Sequence, residues 1–116
     1  MKTKCLKNIE GEERLKLSDL VEYQPGQIVS RTLAQNSAVS LTLFAFDAGE
    51  EISSHESGGD AMLTVLEGEA HITIGGQTYD LAGGETIVMP AGILHAVEAK
   101  KPFKMQLTVI FPSIRL

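Results

Sequence analysis

Turn chemistry punctuates this chain at short, nearly even intervals, and that punctuation limits what it can fold into. QPGQ, DAGEE, ESGGD, EGE, IGGQ, LAGGE, PAG and KKP follow one another from residue 24 to residue 102. Each is built from the residues that tight turns require. Between them lie short runs that alternate or are β-branched: QIVSRTL, AVSLTLFAFD, EEISSH, MLTVLE, EAHITI, QTYDL, TIVMP, HAVEA and FKMQLTVIF. Runs of this kind, bounded by turns every ~8–12 residues, predict an all-β sandwich or barrel. HITIGGQTYDL reads as a hairpin, with Gly75 and Gly76 supplying the positive φ angles of its turn. EERLKLSDLV carries mixed signals and is expected to form one turn of helix at most.

The run AVSLTLFAF predicts how the strands are covered. Val39, Leu41, Leu43 and Ala45 share one face, and Ser40, Thr42, Phe44 and Phe46 share the other. Both faces carry bulk. One cover is the barrel interior, and the other is expected to be a second subunit, which makes a homodimer the expected assembly. The first 25 or so residues have weak strand character and are expected to form an arm over the barrel or a neighbour. Residues 26–116 form the barrel domain.

Composition excludes several partners. The net charge is −5, and the densest basic patch, EAKKPFK, reads as a solvated turn. Nucleic acid and anionic membranes are not expected partners. No run approaches the roughly 20 apolar residues of a membrane span. MKTKCLKNIEGEERL has no apolar core of the secretory kind. Cys5 is the single cysteine, so no intramolecular disulfide forms. A cytoplasmic location fits these features.

Two imidazoles carry the functional question. His55 lies in SSHESGGDAMLTVLEG, and His95 lies in GETIVMPAGILHAVEA. The order of elements over residues 49–99 resembles the cupin family, whose fold is a double-stranded β-helix or jelly-roll barrel. For its first motif, Gly49 and Gly68 are in place and His55 follows Gly49 by six residues. For its second, Gly84, Pro90, Gly92 and His95 all match, while the final Asn position holds Ala99. The glycines have work of their own at strand ends, where they permit angles that a Cβ penalises.

The resemblance implies a metal held by three histidines and a glutamate projecting into the barrel. His55 stands at the first ligand position and His95 at the last. Ser57 replaces the second histidine, and Ala61 replaces the glutamate. Alternation places Ser57 on the face of His55. Asp60 falls one residue from the lost glutamate, hence on the opposite face of a regular strand. A bulge at the glycines of ESGGD would swing it inward. His55, His95 and Asp60 would then form a two-histidine, one-carboxylate set for a divalent transition metal: Fe, Mn, Ni, Cu or Zn.

Two readings of function follow. In the first, the barrel is a binding module for a small polar or anionic molecule, with His55, His95 and Ser57 at the ligand and weak or no metal. In the alternative, it is a metal-dependent enzyme resembling the small cupin dioxygenases or isomerases, using His55, His95 and Asp60. Metal-free acid–base chemistry at His55 or His95 is a third possibility, although no acid partner is identifiable.

Other residues read as structural. His71 alternates with the apolar set of EAHITI and is expected to face the surface or a subunit contact. Met62, Met89 and Met105 read as core filling, Tyr79 and Phe103 as packing, and Thr64 as outward-facing.

Overall fold

A computed structural model describes residues 5–113 of the chain. Nine strands appear where turn chemistry separates alternating runs: β1 (Ile28–Gln35), β2 (Val39–Phe46), β3 (Glu51–His55), β4 (Asp60–Glu67), β5 (Glu69–Ile74), β6 (Gln77–Ala82), β7 (Thr86–Met89), β8 (His95–Glu98) and β9 (Phe103–Ile110). The helix among the described residues is one turn of 3-10 helix at Leu17–Leu20. The strands form two antiparallel sheets, of order β1-β2-β9-β4-β7 and β3-β8-β5-β6. This is an all-β jelly roll, the double-stranded β-helix.

Two positions show why glycine holds the turns. Gly68, between β4 and β5, has φ +81°, and a Cβ there would meet the Pro102 carbonyl oxygen at 2.6 Å. The β5–β6 hairpin closes with Ile74 opposite Gln77, and Gly75 alone takes a positive φ, +59°. Gly76 does not, so the turn departs from the doubly positive form expected. One left-handed residue at the first turn position is enough for a two-residue hairpin of the II′ kind.

The inner faces of the sheets make the core. Phe46, Phe103, Leu63, Val65, Ile72, Met89 and Met105 are almost wholly buried there. Phe46 and Phe103 stack with centroids 4.6 Å apart. Met89 and Met105 fill the core as expected. Met62 does not: it is 45% exposed on the outer face of β4, because its neighbours Ala61 and Leu63 take the inward positions.

A second cluster lies on the outside of the five-stranded sheet. Leu33, Leu43 and Ala45 pack there with Val21, and Ile9, Leu17, Leu20 and Tyr23 close over them. The outer apolar face of β2 is thus covered at Leu43 and Ala45 by the chain's own N-terminal arm, where a second subunit was expected. The arm also donates Lys7 N–H to the Leu33 carbonyl at 2.8 Å, pairing the exposed edge of β1.

A polar latch holds the arm. Lys104, 9% exposed, donates from Nζ to the Ser18 carbonyl at 2.6 Å. Its ammonium lies 4.9 Å from the Tyr23 ring centroid and 3.9 Å from the Glu67 carboxylate. The Tyr23 hydroxyl donates to Glu67 at 2.7 Å. Burial first, and the Glu67 carboxylate second, push the Tyr23 phenol well above its ordinary value.

Candidate functional site

His55 closes β3 and His95 opens β8, and the two are register partners across the four-stranded sheet. Their placement on one side depends on an irregularity. Ile52 pairs with Val97 and His55 with His95, so β3 takes three steps where β8 takes two. The shift lets Ile52 pack against the core and still brings His55 onto His95. The rings meet edge to face, with centroids 4.3 Å apart. His55 is exposed, and His95 is 3% exposed.

Both rings are anchored in the same way. His55 Nδ1 lies 2.9 Å from the Ser53 carbonyl, and His95 Nδ1 lies 3.3 Å from the Ile93 carbonyl. A carbonyl only accepts, so each Nδ1 carries the proton. Each Nε2 of a neutral ring is then a lone-pair acceptor, and no described side chain bonds to either. The His95 imidazole is held below its ordinary range, first by burial and then by the neighbouring His55; its bond to the Ile93 carbonyl opposes the shift.

Ser57 and Asp60 do not join them. Ser57 falls in the loop after β3, where its hydroxyl accepts from Gly59 N–H at 3.2 Å and its carbonyl accepts from Gly92 N–H at 3.0 Å. Asp60 begins β4 on its outward side and accepts from Ala91 N–H at 2.9 Å. The irregularity lies before His55 rather than at the glycines, so nothing swings Asp60 inward. Gly59 is pressed against the Ile110 backbone, which leaves no space for a Cβ. Ala61, at the glutamate position, is 2% exposed in the core. Ser57 in the β3–β4 loop and Asp60 at the start of β4 both staple this segment to the turn that leads into His95.

The donor set can be weighed against the metal implied by the fold. Two neutral imidazoles with free Nε2 atoms are suitable donors. No group of three His, Cys, Asp or Glu side chains able to hold a metal forms among the described residues. Protein metal sites ordinarily supply three or four ligands, so the residues present do not fit a metal held by the chain alone.

Apolar residues adjoin the pair in register and in sequence. Ile74 is the register partner of His95 on β5, and Phe44, Ile52, Ile74 and Leu107 pack partly buried against the core. Ile93 and Leu94, just before His95, are 41% and 54% exposed.

His71 belongs to a different place. It sits on the outer face of β5, opposite Asp80 of β6, and the Nδ1–Oδ1 distance is 2.7 Å. That hydrogen bond chiefly holds the Asp80 carboxyl below its usual range; burial opposes it, and the charges of His71 and Lys100 add to it. The two line a cavity of about 170 Å³ with Glu69, Lys100 and Lys101. Composition gave no sign of this cavity, because Lys100 and Lys101 reach it from the turn before β9.

Comparison with known proteins places the chain. The model of the Cupin domain family matches residues 42–111. A conserved protein of unknown function from Streptococcus pyogenes is 46% identical, with TM-score 0.94, over 97% of this chain and 98% of that one. A cupin superfamily protein from Desulfitobacterium hafniense is 37% identical, with TM-score 0.88, over 92% and 98% of the two chains. An uncharacterized protein from Streptomyces coelicolor is 37% identical over 57 residues, which is 49% of this chain and 54% of that protein. That match spans about half the relative's length. Salicylate 1,2-dioxygenase from Pseudoaminobacter salicylatoxidans shares the fold at 17% identity, with TM-score 0.66, over 72% of this chain and 26% of the enzyme.

Proposed function

This chain belongs to the cupin family, and on that premise we propose that it is a small-molecule-binding member in which His55 and His95 anchor the ligand without a tightly held metal. One observation carries the reading. Two imidazoles are fixed by backbone carbonyls through Nδ1, leave each Nε2 without a partner among the described side chains, and lie beside Ile74 in register. Fixed polar groups in apolar surroundings are what small-molecule sites use for orientation. The replacements at positions 57 and 61 support it from the other side. Ser57 is engaged by its own loop, and Ala61 is packed in the core.

The test is elemental analysis of untagged protein purified without chelator, beside His55→Ala/His95→Ala and Asp60→Ala, followed by a metabolite-binding screen. Substoichiometric metal in every sample, with a ligand lost in the double variant, is the expected result. Stoichiometric Fe, Mn, Ni, Cu or Zn that disappears in the double variant would overturn the metal-free reading. Its loss in Asp60→Ala as well would favour the metal enzyme.

The homodimer also remains a proposal, now on a different face. The outer side of β9, β4 and β7 carries Met62 at 45%, Val88 at 52% and Ile110 at 53% exposure. Thr64, Thr86, Gln106 and Thr108 lie between or beside them in register. None of these seven side chains is charged in a chain of net charge −5. Asp60, opposite Ile110 at the start of β4, is the acidic residue at the end of this face, so two copies meeting over Met62 and Val88 escape much of the repulsion that an acidic surface imposes.

A further inference from the structure

We infer that the His55–His95 pair selects a neutral ligand bearing hydrogen-bond donors on an apolar body, such as a diol, over a carboxylate or phosphate. The inference deepens the small-molecule reading and rests on it.

The argument is one of tautomers. The carbonyls of Ser53 and Ile93 each require a proton on the Nδ1 they face. Each neutral ring therefore turns a lone pair, not an N–H, toward an incoming molecule. Two such lone pairs on rings in edge-to-face contact repel an anion, whose oxygens are also acceptors. They accept from hydroxyl or amine groups, and leaving such acceptors unpaired once water is displaced is costly. The spacing suits one molecule. With ring centroids 4.3 Å apart, donors on neighbouring ligand atoms reach both rings.

The surroundings define the rest of the ligand. Ile74 lies in register beside His95 on β5, Ile52 precedes His55 on β3, and Ile93 and Leu94 stand exposed just before His95. Lys100 and Lys101 serve the cavity around His71.

The experiment has two parts on the full chain, treated with chelator to remove metal. First, ¹⁵N chemical shifts of the histidine ring nitrogens report the tautomer directly. Both rings should show a protonated Nδ1 and a lone pair on Nε2. A protonated Nε2 on either ring overturns the inference. Second, 1,2-cyclohexanediol and cyclohexanecarboxylate are titrated as matched probes. The diol should shift the His55 and His95 signals, and His95→Ala should weaken it at least tenfold. His55→Ala sits at the exposed ring and should do the same if the core variant folds poorly. Carboxylate binding at these rings without diol binding would overturn the ligand class and leave the binding module standing. If neither probe binds and a fragment library also leaves both rings unmoved, the ligand class and the proposed function fail together.

Discussion

Lys104 of β9 donates its ammonium to the carbonyl of Ser18, 86 residues earlier, at 2.6 Å. This bond ties the N-terminal arm to a strand that lies between β2 and β4 in the five-stranded sheet. Lys104→Met keeps the apolar stem and removes the charge, leaving the Ser18 carbonyl without its partner. Stability should fall by about 1–3 kcal/mol, read from urea unfolding. An unchanged midpoint would mean that apolar contacts alone dock the arm.

Tyr23 gives the latch a pH dependence. Its phenol is pushed up by burial and by Glu67, so the folded state keeps the proton after the unfolded chain has released it. The contribution is complete below the ordinary tyrosine value of about 10 and is lost as pH rises beyond it. Wild-type stability should therefore drop more steeply than that of Tyr23→Phe above that pH. Parallel curves from pH 8 to 11 would remove Tyr23 from the account.

His95 works in the opposite pH range. Its folded-state value lies below that of a free imidazole, so the unfolded chain takes up a proton first. The stability it contributes is present above the ordinary value of about 6.5 and is lost as pH falls toward the lowered one. NMR titration should show His95 protonating at lower pH than a model histidine. His55→Ala should move it back upward, because the charge of His55 is the second cause of the shift. No movement would assign the whole effect to burial.

Most strands were legible because turn chemistry is local. Ser-Gly-Gly, Gly-Gly and Pro-Ala-Gly mark chain reversals whatever packs above them, and EAHITI became β5 with both ends as read. Coverage was not legible. The alternation in β2 showed that Leu43 and Ala45 needed a cover, but only the fold shows that Val21, Leu17 and Tyr23 provide it. The site was half legible. His55 and His95 were identified as partners, yet the direction of Asp60 depended on where the strand irregularity falls. Pairing of β3 with β8 decides that, and no local signal in ESGGD reports it.

Met62 and Val88 test the proposed assembly. They are register partners on the outer face of β4 and β7, among uncharged neighbours. Sedimentation should give a dimer for the wild type and a monomer for Met62→Lys/Val88→Lys, with the circular dichroism spectrum unchanged. A dimer that survives both lysines would move the interface elsewhere on the molecule.

The place of β9 has a consequence for how the chain is made. Synthesis delivers β1 to β8 first, and β2 and β4 have no common neighbour until β9 follows. The latch to Ser18 waits on the same strand. Until β9 has been made, the nascent chain can close the β5–β6 hairpin, but the five-stranded sheet and its arm cannot assemble. Such long-range closure makes folding slow relative to local hairpins. The half-made chain therefore holds β2 and β4 as open edges, and a chaperone has most to protect in that interval.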